Sequence, residues 1–152
     1  MATKSREVMR DQFATLLSAA ITGTGKPVTA VYNYMKGRLD GESPVVLVTS
    51  GGIARSIAGQ GTAQYAMNVG LNLVVMVAEA KASAGITEQE VDDLVDDIEA
   101  KIADVVSANQ SVSGIWDQLH YSGQPSEPMP GKDLDGHPYV VEIIRLEADV
   151  YD

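Results

Sequence analysis

The chain has 152 residues, 45% of them hydrophobic, which is enough for one domain with one core. It has no cysteine, which excludes disulfide staples, thiolate nucleophiles and thiolate metal sites and fits an intracellular or disulfide-independent setting. The net charge of −10 is uneven: residues 1–86 carry 8 Lys/Arg against 5 Asp/Glu and residues 87–152 carry 3 against 16, so no basic patch of the kind that grips nucleic acid is visible.

The N-terminus, MATKSREVMRDQF, is polar and lacks the apolar core of a signal peptide. Ser5 is a candidate cap for a first helix, with Glu7 in its first turn. Met9, Phe13, Leu16, Leu17 and Ala20 then recur at helical spacing, and Gly23, Gly25 and Pro27 end the helix. Residues 28–35, VTAVYNYM, are β-branched and aromatic and predict a strand; 36–44 form a turn segment; 45–49 predict a second strand, central in a sheet and partnered with the first across the turn. Residues 50–61, SGGIARSIAGQG, read as a flexible loop or the tip of a long hairpin.

The most informative segment follows. In residues 63–79, Tyr65, Met67, Val69, Leu71, Leu73, Val75 and Val77 alternate with Ala66, Asn68, Gly70 and Asn72, and then with the apolar Val74, Met76 and Ala78. At ~3.3 Å per residue this strand would run about 50 Å, more than twice the usual length. A small domain is not expected to cover all of it, so part should project or lie against a neighbouring subunit. Its longest apolar run, Leu73 to Ala78, is too short to span a bilayer.

Residues 81–86 are a connector. Thr87 to Glu90 form a capping box ahead of a second helix. Val91, Leu94, Val95, Ile98, Ile102, Val105 and Val106 make its apolar stripe, and Asp92, Asp93, Asp96, Asp97, Glu99 and Asp104 its wet face. Residues 115–121 predict a short strand and 122–138, with four prolines and three glycines, a loop without regular structure. Residues 139–151 predict a closing strand, with Val140, Glu142, Ile144, Leu146, Ala148 and Val150 on one face and Glu142 the exception. The whole is expected to be one α+β domain over residues 1–152. Its element order is α-β-β-β-α-β-β, with a mostly antiparallel or mixed sheet of about five strands, two covering helices and a long projecting hairpin.

No set of residues names a reaction. TGTGKP (22–27) fails as a phosphate loop, because the pattern needs glycine where Ala20 stands and Ser or Thr where Pro27 stands. Asp133, Asp135 and His137 stand at alternate positions and offer oxygen and imidazole ligands, yet they lack the ligand number and closing glutamate of an EF-hand, and a surface turn is the better reading. His120 and His137 are the only histidines, with no serine elbow or cysteine to serve, and His120 reads as structural near a sheet edge. The paired aspartates of the second helix read as a solvated face, and Trp116 with Tyr121 as core or interface rather than a binding platform. Arg38 and Arg55 lie in glycine-containing turns where they would meet phosphates or acidic partners, or simply solvent.

In layout, the chain resembles the tail terminator (tail completion) proteins of long-tailed bacteriophages. The carriers are REVMRDQFATLLSAA, AVYNYM, SGGIARSIAGQG, YAMNVGLNLVVMVAEA, TEQEVDDLVDDIEAKI and VVEIIRLEADVYD, which together span nearly the whole chain without a signature motif. The resemblance implies a virion protein at the head-proximal end of the tail, assembled in the host bacterial cytoplasm, with no catalysis and no cofactor or metal. It implies a homo-oligomeric, hexameric ring that caps the tail tube and provides the head–tail joining surface. The tube protein would lie below, a neck or head-completion protein above, and DNA would pass through the lumen without sequence-specific binding. The expected contacts between copies or with partners are Arg38, Ile53, Arg55 and Ile57, together with Tyr65, Met67 and Val69. An acidic lumen, lined by the second helix or by 122–138, would keep passing DNA from adhering. Competing readings are a head-closure, neck or tail tube protein, a small metal-dependent hydrolase or ligand-binding domain using Asp133, Asp135 and His137, and a monomeric cellular interaction module.

Overall fold

A computed structural model describes residues 5–57, 65–79 and 87–151. The tip of the glycine-rich segment, 58–61, and the connector 81–86 lie outside the described residues. Two helices, α1 (Arg6–Ile21) and α2 (Glu88–Ala108), accompany six strands: β1 (Ala30–Tyr32), β2 (Val45–Ile57), β3 (Tyr65–Ala78), β4 (Gln118–Tyr121), β5 (Met129–Lys132) and β6 (Pro138–Tyr151). The strands form one mixed sheet in the order β1-β2-β3-β6-β4, with β5 also on β6. The fold is α+β, in the element order that the sequence predicts, with one strand more than expected.

Both helices start where the sequence places their caps. Ser5 Oγ accepts from the Val8 amide at 3.3 Å, and Thr87 Oγ1 from the Glu90 amide at 3.1 Å, each satisfying an otherwise orphaned N–H. α1 stops at Thr22, just before Gly23 and Gly25 with positive φ, so TGTGKP is a helix end. α2 buries Val91, Val95, Ile98, Ile102, Val105 and Val106 and leaves its aspartates outside.

The alternation in β3 is realised on both faces. Met67, Val69, Leu71, Leu73, Val75 and Val77 face α1 and α2 in the main core, joined by Ile144, Leu146, Ala148 and Val150 of β6. Val74, Met76 and Ala78 point the other way, into a smaller cluster with Leu39, Val45, Leu47 and Tyr139. The apolar row of β3, expected to need a neighbouring subunit for part of its length, is covered by the chain itself, whereas Ala66, Asn68, Gly70 and Asn72 on the other face stay half-buried. β2 and β6, of 13 and 14 residues, flank it along its length, and two helices of 16 and 21 residues lie over its apolar row.

Other boundaries moved. Residues 50–57, expected to be a flexible loop or the tip of a long hairpin, are the far arm of the β2–β3 hairpin and continue β2 through a bulge between Ser50 and Ile53. Gly51 and Gly52 there stand opposite Gly70; a Cβ on Gly51 would lie 3.1 Å from the Gly70 carbonyl carbon, so glycine permits the close approach. The strand read over 28–35 is only β1, and it pairs with β2 in parallel through the loop 33–44 rather than as a hairpin. The strand read over 115–121 begins at Gln118. β5 lies inside the segment read as irregular; it is an edge strand, where Pro130 is tolerated, and Gly131 sits against Val141, whose Cγ2 a Cβ would meet at 2.8 Å. Glu142, the exception in β6, is buried and accepts a 2.7 Å hydrogen bond from Ser126 Oγ. Among the described residues, no helix is long and apolar enough to cross a membrane.

Candidate functional site

The far end of the β2–β3 hairpin holds most of the predicted contact residues, and the structure divides them. Register partners put Ile53 with Val69 and Arg55 with Met67, on the helix-covered face. Met67 and Val69 are 6% and 0% exposed, inside the core, which corrects their expected place on a contact surface: α1 and α2 close over their row before any partner can reach it. Ile53 is half-buried against the same cluster, while Ala54, Arg55 and Ser56 are exposed. Ile57 and Tyr65 pair in the ladder; their side chains lie outside the described residues. Arg38 is at the other end of the sheet, because the Gly37 carbonyl accepts from the Leu134 amide (2.7 Å) in the turn before β6. The seven residues therefore do not form one patch.

β1 pairs with β2 only from Val45 to Leu47, so beyond Leu47 no described strand occupies the outer edge of β2. α1 approaches this edge at the bulge, where Arg6 Nη1 donates to the Gly51 carbonyl (3.4 Å) and Arg10 Nη1 to Ser50 Oγ (3.2 Å).

The turn before β6 gathers Asp133, Asp135 and His137, with one ligand atom of each within 4.8 Å of the others. The arrangement has a structural explanation. Asp133 Oδ1 accepts from the amides of Asp135 (3.0 Å) and His137 (2.9 Å), and Oδ2 faces His137 Nδ1 at 3.2 Å. Arg38 Nε is 3.5 Å from Asp135. Burial pushes the Asp133 carboxyl up, but the His137 amide and ring and the Leu39 amide outweigh it and hold it below the usual carboxylate range. The turn is thus tied together by its own carboxylate.

Toward the opposite end of the sheet, the face away from the helices carries a polar row that sequence order conceals. His120 of β4 stands opposite Glu147 of β6, and Asn68 of β3 opposite Asp149. His120 Nε2 lies 2.9 Å from Asp149 Oδ2, and Asn68 Nδ2 donates to Asp149 Oδ1 at 2.7 Å. His120 is legible in the sequence but its partners are not; the outward alternation of Glu147 and Asp149 in β6 is the available signal, and only the strand register brings Asn68 to them.

Trp116 is not a platform. It is 2% exposed, its Nε1 donates to the Asn109 carbonyl at the end of α2 (2.9 Å), and its ring centroid is 6.5 Å from that of Phe13. A groove of about 360 Å³ between the helices is lined by Leu16, Ala20, Lys26, Lys101 and Asp104, and another of about 330 Å³ by Asp40, His137 and Tyr139.

These features define, among the described residues, an α+β protein with a long antiparallel blade, a strand edge without a strand partner beyond Leu47 and an acidic helix. Comparison of the chain with known protein families and with characterised proteins gives no match.

Proposed function

We propose that the chain is a structural assembly protein of the phage tail terminator type, non-enzymatic, closing into a ring of sister copies that caps the tail tube and offers a joining surface to the head. The observation that carries this reading is the outer edge of β2. Among the described residues, strand pairing on that side of the 13-residue β2 runs only from Val45 to Leu47, α1 reaches it at Ser50 and Gly51, and Ala54 and Ser56 beyond are exposed. An unpaired edge is a ready template for another chain, and a heterologous contact that closes makes a ring. The acidic face of α2 supplies a surface that DNA would pass without adhering, and an electropositive channel in the assembled ring would remove that element. The main core no longer supports the reading, since one copy covers it unaided.

The test is sedimentation and electron microscopy of the purified protein, alone and with pre-formed tail tubes. Rings, or decoration of tube ends, are expected. Ala54→Glu with Ser56→Glu should shift rings to monomers with unchanged circular dichroism. A stable monomer at high concentration without tube affinity would refute the proposal, and attachment to heads rather than tubes would favour a neck protein. The metal-dependent alternative has the gathered Asp133, Asp135 and His137 in its favour. Tight divalent-cation binding lost in His137→Ala would support it.

A further inference from the structure

Both ring nitrogens of His120 face oxygen acceptors. Nδ1 lies 2.9 Å from the Tyr121 carbonyl, and Nε2 2.9 Å from Asp149 Oδ2. A carbonyl and an ionised carboxylate only accept, and Asp149 already takes the Asn68 amide on its other oxygen. A neutral imidazole donates from one nitrogen, so its second nitrogen would turn a lone pair toward an oxygen at hydrogen-bonding distance. Imidazolium donates from both. The surroundings agree. From β6, Glu147 Oε2 stands 3.9 Å from Nδ1, beside Asp149; from β3 the facing side chain is the uncharged Asn68; from β4 it is the Tyr121 carbonyl, with Gln118 the next outward residue. Arg145, the next outward residue along β6, stands opposite Asn72.

We infer that protonated His120 is a clamp that pins β4 to β6 and, through Asp149 and Asn68, to β3, and that loss of its proton loosens this edge of the sheet. β4 is short, joined to β6 by four residue pairs, and β6 from Leu146 to Asp149 has no other described strand on that side. Opening would uncover a second strand edge. The inference does not rest on the assembly proposal.

The sign follows from the contacts. The hydrogen bond to the Tyr121 carbonyl raises the His120 pKa, burial lowers it, and the Asp149 hydrogen bond with the charges of Asp149 and Glu147 raises it, leaving it above its ordinary 6.5. The doubly donating ring, and with it the charge-assisted bond to Asp149, is therefore fully present below 6.5 and lost as pH rises through the higher folded value.

Nitrogen-15 NMR of the full chain, titrated from about pH 5 to 9, reads the ring directly. Expected are a His120 midpoint above 6.5, lowered midpoints in Asp149→Asn and Glu147→Gln, and β4 amide protection that falls as pH passes the midpoint, after correction for intrinsic exchange. A midpoint at or below 6.5 overturns the inference, as do midpoints unmoved in the variants or β4 protection equal on both sides of the transition. The wild-type titration and exchange decide the matter if either variant fails to fold.

Discussion

Replacing Trp116 separates a core role from a binding role quantitatively. Trp116→Phe keeps an aromatic ring near Phe13 but removes the Nε1–H that satisfies the Asn109 carbonyl at the end of α2. The Asn109 carbonyl is only part-buried, so losing this donor costs ~1 kcal/mol, the net value of one hydrogen bond rather than the full penalty of a buried orphan. The smaller ring adds an unfilled volume beside the helix end, so the loss should be about 2–3 kcal/mol. Trp116→Ala removes the ring contact as well and should lose ~3–5 kcal/mol. In a domain of this size ~1 kcal/mol corresponds to about 2–4 °C in Tm, so the two variants should melt at clearly separate temperatures. Guanidinium unfolding followed by circular dichroism measures both, with the slope unchanged if only the native state is affected. As the only tryptophan, Trp116 also reports on itself: its emission in the native protein should be blue-shifted and unfold to the red. Two variants within ~0.5 kcal/mol of the parent, or a native emission already at the solvent-exposed position, would refute the placement of this residue in the core.

Gly70→Val should destabilise by ~1–3 kcal/mol, because even a Cβ there meets the Gly52 amide nitrogen at 3.2 Å; a neutral melting temperature would mean that the bulge opposite it is misplaced. Thr87→Ala should cost ~1 kcal/mol through loss of the α2 cap, with Thr87→Ser restoring most of it in the same thermal melt. The lowered Asp133 carboxyl contributes stability that is present above its unfolded value near 3.8 and lost as pH falls through the lower folded value. Asp133→Asn should therefore flatten the acid limb of the stability–pH profile, and an unchanged limb would remove the proposed role of that carboxylate in the turn.

What the chain determined by itself is what depends on neighbours in sequence. The caps at Ser5 and Thr87, the α2 stripe from Val91 to Val106 and the two-sided alternation of β3 are local patterns, because a helix repeats every 3.6 residues and a strand every two. The stop at Gly23 and the α+β element order were legible for the same reason. Tertiary structure decided everything that depends on what lies across the sheet. Residues 50–57 carry too little hydrophobicity to announce a strand, yet β3 supplies their partners and Gly70 the room for their bulge. β1 pairs in parallel because the loop 33–44 carries the chain back along the sheet, and β5 exists because β6 offers Gly131 and Pro130 an edge. Burial reversed the reading of Met67 and Val69: an apolar row announces that it will be covered, but not whether the cover is a helix of the same chain or a second copy. The meeting of His120, Asp149 and Asn68 was equally out of reach. Asn68 and Asp149 are 81 residues apart in the chain, and strand register alone sets their side chains within a hydrogen bond.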